Sequence, residues 1–329
     1  MARRWTIAVI GCGNIGSRHL QGLARLQHPS DIYGIEPIEA HLTQAKGRVD
    51  EIPPQENLSF KYHATLDALP PSIDLAVVVT GASTRRDALH AVLAGRTVRA
   101  LILEKFLFQR LVDYDDVERL LTSRGIPTWV NTPRRAWPGY QALQKRILGQ
   151  GPFTLLADGD GRNRLATSVI HFVDMGSFLF GSDLPFELDG SQLRVSDKES
   201  RHSGVIEFDG VMTGRSEKGD CLVLRSRPNS EPDRLMTIMT DTELITIDEG
   251  DQKVRFEKAE GPYSVTQSEF PIVFQSSLTG TMARNIIDYG RCELPTFAAS
   301  ARLHRECLKA FLQALGQSRD NATYVCAVT

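Results

Sequence analysis

TIAVIGCGNIG, residues 6–16, is an apolar run that ends in a glycine-rich turn and opens into a helical pattern. Thr6 to Ile10 reads as a strand, and Asn14 to Gln27 as a helix with apolar positions at Ile15, Leu20, Leu23 and Leu26. Gly11, Gly13 and Gly16 satisfy GxGxxG, a loose pattern that gains meaning from this strand–turn–helix setting. Gly11 permits the tight turn, Gly13 lets the backbone approach a pyrophosphate, and Gly16 lets helix and strand pack closely. The helix start at Asn14, Ile15 and Gly16 then offers N–H groups and a positive dipole end to phosphates.

The same rhythm continues outward from this stretch. Strands are predicted at Asp31 to Ile35, Leu75 to Val79, Ala100 to Leu103 and Pro127 to Val130. Helices are predicted at Glu39 to Lys46, Arg86 to Leu93 (stopped by Gly95) and Tyr114 to Leu121. Leu75 to Val79, LAVVV, is apolar throughout, as a strand covered on both faces should be. The alternation predicts an α/β domain over residues 1–132, a doubly wound parallel Rossmann sheet. Glu36 follows the second strand, twenty residues beyond Gly16. A carboxylate there accepts both ribose hydroxyls of NAD and repels a 2′-phosphate; the alternative is an exposed strand-end glutamate. Pro37-Ile38-Glu39 offers no arginine for a 2′-phosphate, so NAD is the expected cofactor.

After Thr132 the pattern changes. Helices at Gly139 to Leu148 and Ala166 to Phe180 bracket a strand at Phe153 to Ala157. Strands follow in VIEF, CLVLRS, RLMTIMT, ELITI and KVRF between Ser203 and Phe256. Two helices, Val273 to Tyr289 and Ala299 to Leu315, complete the chain. Residues 133–329 therefore read as an α+β domain with a large open, mostly antiparallel sheet.

Composition narrows the function classes. A net charge of −2 leaves no global basic field for nucleic acid or an anionic membrane. No apolar stretch approaches the roughly 20 residues needed to cross a bilayer. Five scattered cysteines without a CxxC pair fit a reducing cytoplasm and no zinc site. Asp158-Gly-Asp160-Gly-Arg162-Asn163 lacks the spacing and closing glutamate of a calcium loop, and reads as a loop lining a substrate cleft. No metal site is expected.

Leu103-Glu104-Lys105-Phe106-Leu107, taken with GCGNIG, resembles the Gfo/Idh/MocA oxidoreductase family, whose Rossmann domain carries a Glu-Lys-Pro motif. The resemblance covers nearly the whole chain in order. It implies a cofactor site of Gly11, Gly13, Asn14, Ile15, Gly16, Glu36, Thr80, Ser83, Glu104 and Lys105. It also places Lys105 near the nicotinamide and the reacting hydroxyl. An ammonium suits that place, because alkoxide-like charge develops there in the transition state. Strand alternation sends Glu104 and Lys105 to opposite faces.

On the helix after the first strand of the second domain, the family often shows an aspartate, a histidine four residues on and an aspartate three later. Thr167, His171 and Asp174 hold these places on one helix face. The resemblance makes His171 the proton-exchanging group, flanking the reacting carbon with Lys105, while Asp174 either orients the imidazole or serves a helix or interdomain contact. A packed core histidine is the alternative, with Val169, Ile170 and Phe172 around it. Phe106 stands in place of proline and Thr167 in place of an acid. Phe106 is expected to give its loop another path, and a threonine cannot serve as a carboxylate base. Asn131, Arg134 and Arg135 follow the last strand of the first domain, where an arginine can clamp a substrate carboxylate or phosphate or remain a surface charge. Arg134, Arg135, Asn163 and Thr167 are the expected substrate-binding residues.

The activity implied is NAD-dependent hydride transfer at a hydroxyl or keto carbon of a sugar, sugar acid or nucleotide sugar. Two alternatives stay open: an NAD-recycling lyase or glycosidase-type enzyme, and a non-catalytic dinucleotide-sensing regulator. A carbohydrate-type small molecule is the expected partner, and a homodimer or homotetramer the expected assembly.

Overall fold

The computed structural model describes residues 3–159, 165–181, 186–197, 200, 203–226, 235–258 and 263–329. The chain forms two compact units. The first gathers Met1–Leu107, Asp116–Pro133 and Val273–Phe297; the second gathers Phe108–Asp115, Arg134–Ile272 and Ala298–Thr329. The division is discontinuous, where the sequence suggested a single boundary at 132/133.

The first unit is built on β1 (Trp5–Ile10), α1 (Asn14–Leu23), β2 (Ser30–Ile35), α2 (Glu39–Asp50) and β3 (Leu58–His63). The two-residue strands β4 (Ser72–Ile73) and β6 (Thr97–Val98) pair with each other, around β5 (Leu75–Val78) and α3 (Ala82–Leu93). Then come β7 (Leu101–Glu104), α4 (Leu111–Arg124), whose residues through Asp115 count with the second unit, and β8 (Thr128–Asn131). The main sheet has the order β3-β2-β1-β5-β7-β8, and every pair in it is parallel. Strand order reverses between β1 and β5, the switch point at whose C-terminal edge ligands of such sheets bind. β5 and β7 are buried along their whole length, as both-face coverage demands.

The late helix α7 (Gln275–Tyr289) belongs to this first unit and packs on α1. Glycines let the two approach: a Cβ on Gly280 would lie 2.6 Å from the Gly22 carbonyl oxygen.

In the second unit, α5 (Pro138–Ile147), β9 (Thr154–Gly159) and α6 (Leu165–Leu179) are followed by seven strands. These are β10 (Glu187–Val195), β11 (Phe208–Arg215), β12 (Cys221–Ser226), β13 (Leu235–Met239), β14 (Glu243–Asp248), β15 (Lys253–Lys258) and β16 (Val265–Glu269). The chain closes with α8 (Phe297–Ala314). The eight-stranded sheet runs β10-β11-β12-β9-β13-β14-β15-β16, antiparallel except for the β12–β9 pair. Phe208 and Phe311 stack at 4.7 Å, and α6 packs on β9, β11 and β12.

Three strands of five residues or more escape the sequence pattern: β3, β10 and β16. All lie at sheet edges. β3 is half-buried throughout, β16 is exposed throughout, and β10 carries a register shift between Asp189 and Gln192. An edge strand half open to water needs no apolar run, so its periodicity is faint. VIEF also differs: only its last residue, Phe208, enters β11, which continues through GVMTGR with two glycines diluting the apolar signal.

Candidate functional site

The glycine turn has the geometry its pattern implies. Gly11 adopts φ +91°, a conformation open to glycine. A Cβ at Gly16 would lie 1.8 Å from the Gly11 carbonyl oxygen, so only glycine lets α1 start this close to β1. Gly13 differs: a Cβ there would make only an ordinary contact with His41, 3.8 Å away, so this position is less crowded than Gly11 and Gly16. No side chain caps α1 at Gly13, and Asn14 and Ile15 are exposed at its first turn. The helix end is thus prepared for an anion.

Glu36 stands directly after β2 and is buried. Its Oε2 accepts the Cys12 N–H at 2.9 Å and its Oε1 accepts the Ile38 N–H at 3.1 Å. The carboxylate therefore braces the glycine turn and keeps lone pairs for further donors, such as ribose hydroxyls. Burial, reinforced by the Glu36 charge, pushes the Cys12 thiol up to about 12, so this cysteine holds its proton at neutral pH. Arg48 of α2 donates to the Asn14 carbonyl at 2.7 Å and the Ser17 hydroxyl at 2.5 Å, fixing the helix start from the other side.

Thr80 follows β5 beside Gly11, and its hydroxyl oxygen is buried with no hydrogen-bond partner. An orphaned hydroxyl against the glycine turn is what a bound dinucleotide would satisfy. Ser83 is exposed in the first turn of α3. These residues fit NAD: a glycine turn, an uncapped helix end, a strand-end carboxylate and a waiting hydroxyl.

Lys105 and Glu104 part company at the end of β7. Lys105 is half-buried, while Glu104 turns inward and is 5% exposed. The His19 Nε2–H donates to Glu104 Oε1 at 3.1 Å, the Asn131 amide donates to the same oxygen, and the Lys105 N–H donates to Oε2 at 3.2 Å. Behind them, Asn131 donates to Gln275 at 2.9 Å, and Thr279 Oγ1 lies 3.0 Å from His19 Nδ1. Burial alone would raise the Glu104 pKa, but His19, Asn131 and the nearby Lys105 charge outweigh it and hold the carboxyl below its ordinary value. Glu104 thus anchors the backbone that presents Lys105.

Phe106 is fully buried, and the Lys105–Phe106 peptide is cis. The buried Arg85 of α3 donates to the carbonyls of Phe106, Leu107 (3.1 Å) and Thr80, so one guanidinium ties together the loops after β5 and β7.

In the second unit, α6 carries Thr167, His171 and Asp174. Thr167 and His171 are half-exposed on an otherwise largely buried helix, whereas Asp174 is 1% exposed. Asp174 receives both arms of Arg135, at 2.7 and 2.9 Å. Arg134 forks onto the buried Glu249 at 2.6 and 2.9 Å, and the Tyr140 hydroxyl adds a 2.7 Å bond to the same carboxylate. Burial works against the Arg134 charge, and Glu249 more than offsets it, holding the guanidinium above its ordinary pKa. The structure thus gives both arginines internal carboxylates and joins Asp174 to Arg135. Thr167 donates its hydroxyl to Glu207, which also accepts the Ala166 N–H at 3.1 Å. Asn163 lies outside the described residues.

His19, Arg48, Arg85, Glu207, Gln275 and Thr279 escape sequence reasoning. His19 alone had a local signal, three residues past Gly16 on the helix the glycine motif defines. The others meet their partners only through the fold.

Residues 5–132 match the Gfo/Idh/MocA family model, described as oxidoreductase family, NAD-binding Rossmann fold. No curated protein matches the chain in sequence. Among solved structures, UDP-N-acetylglucosamine 3-dehydrogenase GnnA from Acidithiobacillus ferrooxidans is similar at 18% identity and a TM-score of 0.70, over 98% of this chain and 100% of that one. An oxidoreductase from Agrobacterium radiobacter, in complex with NAD+, L-tartaric acid and magnesium, is similar at 15% identity and 0.72, over 94% and 96%. A super-repressor mutant of Gal80p from Saccharomyces cerevisiae is similar at 12% and 0.72, over 98% and 99%. At such identities these structures share the fold. Residues 5–132 thus form an NAD-binding Rossmann domain of the kind the Gfo/Idh/MocA oxidoreductase family carries.

Proposed function

We propose that the chain is an NAD-dependent oxidoreductase acting on a hydroxyl or keto carbon of a sugar, sugar acid or nucleotide sugar. The observation that carries this reading is Lys105, presented at the end of β7 by a buried Glu104 network, in the unit that holds the glycine turn. When bound, NAD supplies the hydride acceptor or donor. Gly11, Gly13, Asn14, Ile15 and Gly16 hold the pyrophosphate, Glu36 receives the ribose hydroxyls, and Thr80 and Ser83 line the same edge. Lys105 stabilises negative charge on the substrate oxygen. His171 holds or releases the hydroxyl proton on its imidazole.

The substrate class draws support from the GnnA dehydrogenase, whose name specifies a nucleotide sugar on this fold. Arg134 and Arg135 have their forks engaged inside the second unit, so they give no preference for an anionic over a neutral sugar. No helix among the described residues is long and apolar enough to cross a membrane.

The test is nicotinamide absorbance during incubation with NAD and a panel of sugars, sugar acids and nucleotide sugars. NADH accumulating with one class establishes the reaction. Product without net NADH would instead indicate a recycling lyase. NAD binding with no product from any member would favour a dinucleotide-sensing regulator, a second reading that the Gal80p fold keeps in play.

A further inference from the structure

We propose that Glu207 is the carboxylate that serves His171, a positioning residue acting through the Thr167 hydroxyl. The inference rests on reading His171 as the proton-exchanging group. Ala166, Ser168, Val169 and Ile170 are buried in α6, while Thr167 and His171 share its half-open face. A spacing of four sets their Cβ atoms about 6 Å apart, one turn along the helix.

Glu207 reaches this face from outside the helix. It lies just before β11, is 4% exposed, and grips the first turn of α6 by accepting the Ala166 N–H and the Thr167 O–H. An ionised carboxylate is acceptor-only, so the hydroxyl proton of Thr167 must point at Glu207. That fixes the threonine rotor and leaves its oxygen lone pairs for another donor, which we take to be the imidazole one turn on. The N-terminal end of α6 favours the ionised carboxylate. A negative charge held there stabilises imidazolium over imidazole and orients the ring.

On the strands packed against α6, Arg225 of β12 pairs with Asp158 of β9 at 2.5 Å, and β11 carries a second buried carboxylate, Asp209. Asp174 faces the Arg135 fork, and Arg134, which lies over the Phe172 ring at 5.4 Å, faces Glu249. Glu207 meets α6 through an amide and a hydroxyl. A threonine at position 167 therefore does not deprive His171 of a carboxylate. It relays one from another segment.

The test is an NMR titration of the His171 imidazole in the full chain, assigned among the eight histidines with His171→Gln. It needs neither cofactor nor turnover, so it stays separate from the oxidoreductase reading, which the NADH assay tests on its own. Glu207→Gln is expected to lower the His171 pKa by about half to one unit, less than a direct contact gives because the ring is partly solvated. Thr167→Val should lower it in the same direction, and adding Thr167→Asp to Glu207→Gln should restore it. An unmoved His171 pKa in a folded Glu207→Gln protein overturns the proposal. If Glu207→Gln does not fold, Thr167→Val decides alone by the same criterion.

Discussion

Two pairs of buried carboxylates, one pair in each unit, are stabilised by different means. In the first, Glu104 and Glu36 are held by backbone N–H groups, an amide and an imidazole. In the second, Glu249 and Asp174 each receive an arginine fork. A fork fixes charge and direction together, and its carboxylate is committed. The first unit's network is adaptable: His19 Nδ1 accepts from Thr279 in the neutral ring, or donates to it if the ring is protonated. The forks thus tie Arg134 and Arg135, just before α5, to the residue after β14 and to α6, while Glu36 braces the glycine turn and Glu104 the backbone of Lys105. Glu207 of the second unit accepts an amide N–H and a hydroxyl from the first turn of α6.

The sharpest way to break this comparison is to remove one member of a fork. Glu249→Ala leaves Arg134 buried without its carboxylate and should cost about 3–5 kcal/mol, read from urea unfolding. A cost under 1 kcal/mol would mean that the fork is not structural. Next comes Glu104→Gln, which keeps the shape but removes the charge-assisted bonds, and should cost about 1.5–3 kcal/mol. Its pH dependence follows from sign. The folded-state pKa of Glu104 is lowered, so its contribution is complete above the unfolded value of about 4.3 and is lost as pH falls through the folded value. The gap in stability between wild type and Glu104→Gln should therefore narrow on acidification below that point. A gap independent of pH would show that the carboxylate charge is not what matters.

The smallest effect is expected at Thr80. Thr80→Val replaces an unsatisfied buried hydroxyl with an isosteric methyl, so the protein should lose no stability. NAD affinity should nevertheless weaken by about fivefold, near 1 kcal/mol, if that hydroxyl serves the dinucleotide. Calorimetric titration reads the second quantity and thermal unfolding the first. Equal losses in both would place the hydroxyl in the fold instead.

What could be read in advance follows the range of the interactions. Gly11, Gly13 and Gly16 are local: strand, turn and helix lie within eleven residues, and the steric demand at Gly16 comes from Gly11 itself. Lys105 and His171 were legible as residue types at motif positions. The partners were not. Arg134 and Arg135 looked available because Glu249 lies 115 residues from Arg134 and Asp174 39 residues from Arg135. His19 meets Thr279 across 260 residues because α7 returns to α1, and no local pattern announces that return. Glu207 stands forty residues from Thr167, so a missing acid at one position concealed a carboxylate supplied from another.

The most direct test of the account compares wild type with Lys105→Ala in a single-turnover experiment, following nicotinamide absorbance with the substrate class found in the panel. Hydride transfer in the variant should slow by about 10²–10³ with NAD affinity unchanged, since Lys105 is proposed to stabilise charge that appears in the transition state. Hydride transfer at the wild-type rate in Lys105→Ala would contradict that role.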